Sequence, residues 1–159
     1  MSALPLLSLS STMDIREFLS PNDILIDVRA SDKTRFLREL ARRAAASLNL
    51  APERIAAEIL KREELGSTGT GGGIAIPHAR IRELNEPFGI FARLNRPIDF
   101  LAIDTRPVDL VFLLLLPGDP VDEQLKALAT VARKLRDPTS LRDLRAAAST
   151  AELYAAMIA

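Results

Sequence analysis

Gly66-Ser67-Thr68-Gly69-Thr70-Gly71-Gly72-Gly73-Ile74-Ala75-Ile76-Pro77-His78-Ala79-Arg80 contains five of the chain's seven glycines and its single histidine. Glycine takes positive φ without penalty and lets the backbone approach a ligand closely. A glycine run also leaves amide N–H groups uncovered, which suits phosphate and other anions. On this ground Thr68, Gly69, Thr70, Gly71, Gly72 and Gly73 are the candidate phosphate-binding loop. Ile74-Ala75-Ile76 reads as a short buried strand that Pro77 ends, so that His78 emerges at the strand end. Glycine loop, strand and imidazole together read as a site.

Plainer readings compete with that one. A lone histidine is more often a surface or satisfied core residue than a catalyst. No Gly-Lys-Ser/Thr follows the glycines, so they form no Walker loop. They precede a strand instead of opening a helix, which excludes the dinucleotide fingerprint. The Pro77-His78 step favours a site over a plain turn.

At 159 residues the chain reads as one domain, long enough to bury roughly 70% of its unfolded surface. Lys plus Arg and Asp plus Glu both number 21. This balance gives no electrostatic case for nucleic acid or an anionic membrane as obligatory partner. With no cysteine and one histidine, disulfides, thiolate chemistry and a zinc site are not expected. The expectation is no metal and no cofactor. The longest apolar run, Leu110 to Leu116, is far short of the ~20 residues that span a bilayer. Residues 1–12 are apolar and serine-rich but carry no Lys or Arg, and Pro5 interrupts them. They read as a flexible tail ahead of a domain at 13–159, Met13 offers an alternative start, and the expected location is the cytoplasm.

Along the chain, Met13 to Leu19 suggests a short helix and Ile24 to Val28 a strand. Ser31 is the expected N-cap of a helix from Asp32 to about Leu48, with Phe36, Leu37, Leu40, Ala41, Ala44 and Leu48 on one stripe. Pro52 opens a second helix with Ile55, Ile59 and Leu60 inward and a Glu58–Arg62 pair on its surface. Gly66 suits the left-handed residue that ends it. Phe88 to Leu94 and Asp109 to Leu116 read as strands, with a turn across 96–100 between them. Asp119 and Pro120 start a helix whose apolar period is Leu125, Leu128, Ala129, Ala132 and Leu135. Asp137-Pro138 starts another to about Ala147, and Ser149 to Glu152 is a capping box for the last. Strands alternating with helices, two strands in direct succession, predict an α/β fold: a mixed central sheet flanked by helices.

Glu63-Glu64-Leu65-Gly66-Ser67-Thr68-Gly69 followed by Gly73-Ile74-Ala75-Ile76-Pro77-His78-Ala79 closely resembles the phosphohistidine motif of the mannitol/fructose-type (type 2) enzyme IIA family. That family belongs to the phosphoenolpyruvate-dependent phosphotransferase system. The Ser-Thr-Gly wording and stand-alone chain look most like its nitrogen-regulatory branch. The resemblance runs from Met13 to Ala159 and implies a single-domain α/β sandwich. Thr70 departs from it, standing where the family usually has an aliphatic residue.

The resemblance implies that His78 accepts a phosphoryl group on Nε2 while a neighbour tethers Nδ1–H. An arginine sixteen residues before the histidine supports that group in the family, and Arg62 matches the spacing. Arg62 and the amides of Gly69 to Gly73 are the expected charge-stabilising donors, while Glu63 and Glu64 should point away. Gln124 stands where sugar-transporting members, and many regulatory ones, have a second histidine; it can hydrogen-bond but cannot carry a positive charge.

The implied partners are a histidine phosphocarrier as donor, docking on a shallow apolar patch around His78, and regulated targets of the potassium-transport or sensor-kinase type. A sugar-transport enzyme IIA handing phosphate to a IIB domain is the alternative. A non-enzymatic module that binds a phosphate-bearing ligand is a third.

Overall fold

The computed structural model describes residues 13–118 and 122–159, with side chains in the second segment from Leu125 onward. The expected tail at 1–12 and the Asp119-Pro120 helix start lie outside these residues. Among the described residues six strands form one mixed sheet: β1 Ile24–Val28, β2 Gly69–Gly71, β3 Ile74–Ala75, β4 His78–Ile81, β5 Phe88–Ile98 and β6 Val108–Pro117. Five α-helices accompany it among the described residues: α1 Lys33–Leu48, α2 Pro52–Glu64, α3 Asp122–Lys134, α4 Pro138–Ala146 and α5 Thr150–Ile158. None of them is long and apolar enough to cross a membrane.

The sheet order is β1-β5-β6-β3-β2, with β4 also pairing β6. β6 is the organising strand because every residue from Val108 to Pro117 except Asp109 is buried. It runs antiparallel to β5 on one side and parallel to β3 and β4 on the other. Val111, Leu113 and Leu115 join the core with α1 and α2, whereas Leu110, Phe112, Leu114 and Leu116 join the core with α3, α4 and α5. A continuous apolar strand covered on both faces is what its sequence dictated.

Several local expectations are corrected. Helix α1 is capped by Asp32, not Ser31, because the Asp32 carboxylate takes the Arg35 amide at 2.8 Å. Gly66 does not end α2 in the left-handed well: Leu65 closes the helix in right-handed geometry and Gly66 follows at φ 157°. The expected Glu58–Arg62 pair is absent, since Glu58 is taken by Arg54 at 3.0 Å. The short helix expected across 13–19 is a single 3-10 turn at Ile15–Glu17, capped by Asp14. β5 continues to Ile98 and pairs it with Val108, so the connection falls after residue 98. In α3 the buried stripe is Ala127, Val131 and Leu135. Leu125 and Ala129 face outward instead, rotated from the expected period. In α5, where burial of Leu153, Met157 and Ile158 is expected from the sequence, the first two are buried and Ile158 only partly so, and Glu152 accepts from Ala148 N and not from Ser149 N.

Candidate functional site

His78 does not end a strand; it begins β4. Ile74 and Ala75 pair with Leu110 and Val111 of β6, and His78 to Ile81 resume beside Leu114 to Pro117. Pro77, which has no N–H to donate, splits the two short strands. The break is held by two bonds outside the ladders of β3 and β4, from Leu114 N to Pro77 O at 2.9 Å and from Ile76 N to Thr68 O at 3.1 Å. His78 Nδ1 sits 2.8 Å from the Ile76 carbonyl oxygen. A carbonyl only accepts, so Nδ1 carries the proton of the neutral ring and Nε2 keeps its lone pair.

The half-buried His78 ring opens onto a depression of about 380 Å³. Helix α2 contributes Glu58, Lys61 and Arg62 to its wall, and Leu65 follows from the helix end. Ala79 and Arg80 come from β4, Leu116 from β6, and Leu125 and Leu128 from α3. Leu65 and Leu125 are 84% and 69% exposed, unusual for leucine beside a cleft, and they make its rim apolar.

The electrostatics of this depression are one-sided. Its one carboxylate among the described residues, Glu58, is neutralised by Arg54. Among the described residues, Lys61, Arg62 and Arg80 have no carboxylate within ion-pair distance. Arg62 spends one donor, Nη1, on the Gly66 carbonyl at 2.9 Å, which holds its guanidinium over the end of α2. The remaining guanidinium donors suit an anion placed at Nε2.

The structure thus brings His78 and Arg62 into one depression and keeps the glycine run out of it. None of Thr68, Gly69, Thr70, Gly71, Gly72 and Gly73 lines the cleft. Two of the amides proposed as a cradle, Gly69 N and Gly72 N, are already engaged, as is that of Thr68 just before them. Thr68 N donates to Glu63, Gly69 N to the Ser67 hydroxyl and Gly72 N to the Asp104 carboxylate. Gly69 and Gly71 pair with Ala75 and Ile74 as a hairpin, and Gly73 O accepts from Asp109 N and Leu110 N. Arg145 clamps this hairpin, bonding Asp109 and the Gly72 carbonyl. Glu63 is turned away from the depression, as expected, but into the interior and not to solvent. Gln124 lies in the first turn of α3, and its side chain is outside the described residues.

Sequence reading missed Lys61, Arg80, Leu65, Leu125 and Leu128. Leu125 and Leu128 had the look of core period; Leu125 is exposed at the rim, while the partly buried Leu128 packs on the core and also lines the cleft.

The family model "Phosphoenolpyruvate-dependent sugar phosphotransferase system, EIIA 2" matches residues 17–159. A nitrogen regulatory protein of Bradyrhizobium diazoefficiens is 42% identical over 145 residues, covering 91% of this chain and 95% of that protein. The nitrogen regulatory protein of Escherichia coli K12 is also 42% identical, covering 91% of this chain and 89% of its own. The crystal structure of the nitrogen regulatory protein IIA-Ntr from Neisseria meningitidis superposes with a TM-score of 0.85 at 32% identity, over 90% of this chain and 98% of that one. With a family match through its last residue and such relatives along 91% of its length, the chain belongs to the EIIA 2 family of the phosphoenolpyruvate-dependent sugar phosphotransferase system.

Proposed function

We propose that this protein accepts a phosphoryl group on His78 from a histidine phosphocarrier and regulates nitrogen-related targets through its phosphorylation state. The observation that carries the reading is the Nδ1 tether to the Ile76 carbonyl, which leaves the Nε2 lone pair free on a ring that lines a cleft with Lys61, Arg62 and Arg80. In the transfer, Nε2 attacks phosphorus while the donor's P–N bond breaks and its electron pair returns to the donor imidazole. Catalysis of such a step is chiefly positioning and electrostatics. Arg62 supports the equatorial oxygens, and Lys61 and Arg80 add positive potential at the rim. The apolar rim at Leu65 and Leu125 is the docking surface for the phosphocarrier. Gln124 contributes at most a hydrogen bond.

Phosphorylation replaces a near-neutral ring by roughly −1.5 to −2 charges. A target that docks on the same rim feels that charge directly, so the two forms are distinguished locally and without refolding.

Incubation with a phosphoenolpyruvate-fed phosphocarrier tests the reading. Label that survives alkali, is lost in acid and is absent from His78→Ala is the expected result. Label retained by His78→Ala overturns it. Onward transfer to a IIB protein would move the function to sugar uptake. Calorimetric binding of a phosphate-bearing ligand without any labelling would leave a binding module.

A further inference from the structure

Among the described residues Glu63 is the only buried carboxylate, at 8% exposure. Its Oε2 meets Lys33 Nζ at 2.7 Å and the Thr68 amide at 3.0 Å, and its Oε1 accepts from the Thr68 hydroxyl. Lys33 in turn donates to the Phe100 carbonyl at 3.2 Å and lies 4.7 Å from the centre of the Phe100 ring. Four pieces of chain therefore meet here: the start of α1, the end of α2, the approach to β2 and the segment after β5.

The cluster's connections lead to the imidazole. Thr68 is held by the carboxylate at both its amide and its hydroxyl. Its carbonyl is then presented to Ile76 N at 3.1 Å. Ile76 lies between β3 and β4, so no ladder of either strand fixes it. Its own carbonyl is the acceptor for His78 Nδ1. A chain of hydrogen bonds thus runs Lys33–Glu63–Thr68–Ile76–His78.

Burying an ion pair is poor economy for stability alone. Apolar residues of similar volume commonly hold a junction as well or better, because both ions lose their hydration. What an ion pair adds is direction, and direction is what the Ile76 carbonyl needs. Hydrogen bonds weaken steeply when lengthened or misaligned. Any slippage of Thr68 therefore releases the Nδ1 proton to exchange between the two ring nitrogens.

We propose that Glu63, paired with Lys33, is a positioning residue for phosphoryl transfer, fixing the tautomer and orientation of His78 through Thr68 and Ile76 without touching the phosphoryl group. The role rests on the reading of His78 as phosphoryl acceptor.

The test uses full-length 15N-labelled protein and two variants. In Lys33→Met/Glu63→Met both charges go together, so no buried ion is left unpaired. Thr68→Val keeps the ion pair and removes only the hydroxyl's bond to the carboxylate. The parent should show His78 imidazole nitrogen shifts of a single tautomer with Nδ1 protonated. Both variants should shift toward a tautomer mixture, the double variant further. Single-turnover phosphate acceptance by the double variant should fall about tenfold to a hundredfold, the usual scale for a misplaced reacting group. The KM for the phosphocarrier should stay the same, since the rim is untouched. The tautomer readout needs no phosphate. A parent protein that refuses phosphate therefore overturns the reading of His78. Parent-like imidazole shifts in both variants, with normal phosphate acceptance, overturn the role of Glu63 alone.

Discussion

At the glycine hairpin the Gly72 amide meets a carboxylate, Asp104 Oδ2 at 3.0 Å; the cleft of His78 is lined by three cations, Lys61, Arg62 and Arg80, and by Glu58, which Arg54 neutralises. The hairpin and the cleft lie along the same edge of β6. Gly73 bonds Leu110 while His78 is opposite Leu114, which places them about 13 Å apart at ~3.3 Å per residue. Both regions had the composition of an anion site. In the hairpin the protein's own acids take the donors: Asp104 accepts from the Gly72 amide and Asp109 from Arg145. In the cleft Lys61, Arg62 and Arg80 have no such partner among the described residues. An anion site is thus marked by donors left unspent, and a glycine-rich sequence counts only the donors.

The largest expected effect separates the two regions by stability. A Cβ on Gly73 would lie 2.6 Å from Arg145 Nη2 and 2.8 Å from Asp109 Oδ1, at φ 84°. Gly73→Ala should therefore cost about 2 kcal/mol, since backbone strain and a clamped neighbour act together. Thermal unfolding should fall by roughly 4–8 °C, while the folded protein accepts phosphate at the parent rate. A rate loss in fully folded Gly73→Ala would break the comparison and return the hairpin to the site.

Arg62→Ala should do the reverse. Its fixed contact is one bond to the Gly66 carbonyl, so unfolding should move by no more than about 1 kcal/mol. Phosphate acceptance should slow at least tenfold, ~1.4 kcal/mol of barrier. Equal rates in variant and parent would remove Arg62 from the mechanism.

What the sequence made legible was local. The β6 run, the α1 stripe and the Pro52 start depend on period and neighbour chemistry, and the structure keeps them. His78 and Arg62 drew notice through a motif and a spacing. The amide partners of the glycine run were not legible, because Asp104 arrives from 32 residues downstream. Glu63 looked like one more acid at a helix end, and its burial depends on Lys33 in another helix. Leu125 and Leu128 satisfy an apolar helix period that in fact serves two surfaces, the core through Ala127 and Val131 and the cleft through the leucines. Long-range partners decide such cases, and no window of sequence contains them.

A smaller effect sharpens the electrostatic half. Lys61→Ala and Arg80→Ala remove rim charge without touching Nε2. Each should raise the KM for the phosphocarrier only a few-fold at low ionic strength, with single-turnover transfer unchanged. The difference should vanish as salt shortens the screening length to about 3 Å near 1 M. A salt-independent loss would mean that these side chains act by packing.

The smallest effect belongs to the hairpin's acid. Asp104 is held below its ordinary value of 3.8, first by the Gly72 amide and then by the Arg106 amide, both of which favour the charged carboxylate. A group whose pKa is depressed by folding stabilises the fold above its unfolded value, and that contribution is lost as pH falls through the folded one. Asp104→Asn keeps one oxygen acceptor but cannot titrate. The parent should therefore be slightly more stable than the variant at neutral pH, and the gap should close progressively below about pH 4. Urea midpoints measured for both proteins from pH 7 to pH 3 give the comparison. Exposure of the carboxylate keeps the gap small, and added salt should narrow it further at neutral pH. Phosphate acceptance should be the same in both proteins across the pH range where they are folded. A stability gap that does not change with pH would show that Asp104 holds Gly72 by shape and not by charge. A gain in phosphate binding at the hairpin of Asp104→Asn would show that the carboxylate had been excluding the anion from a cradle otherwise ready to take it.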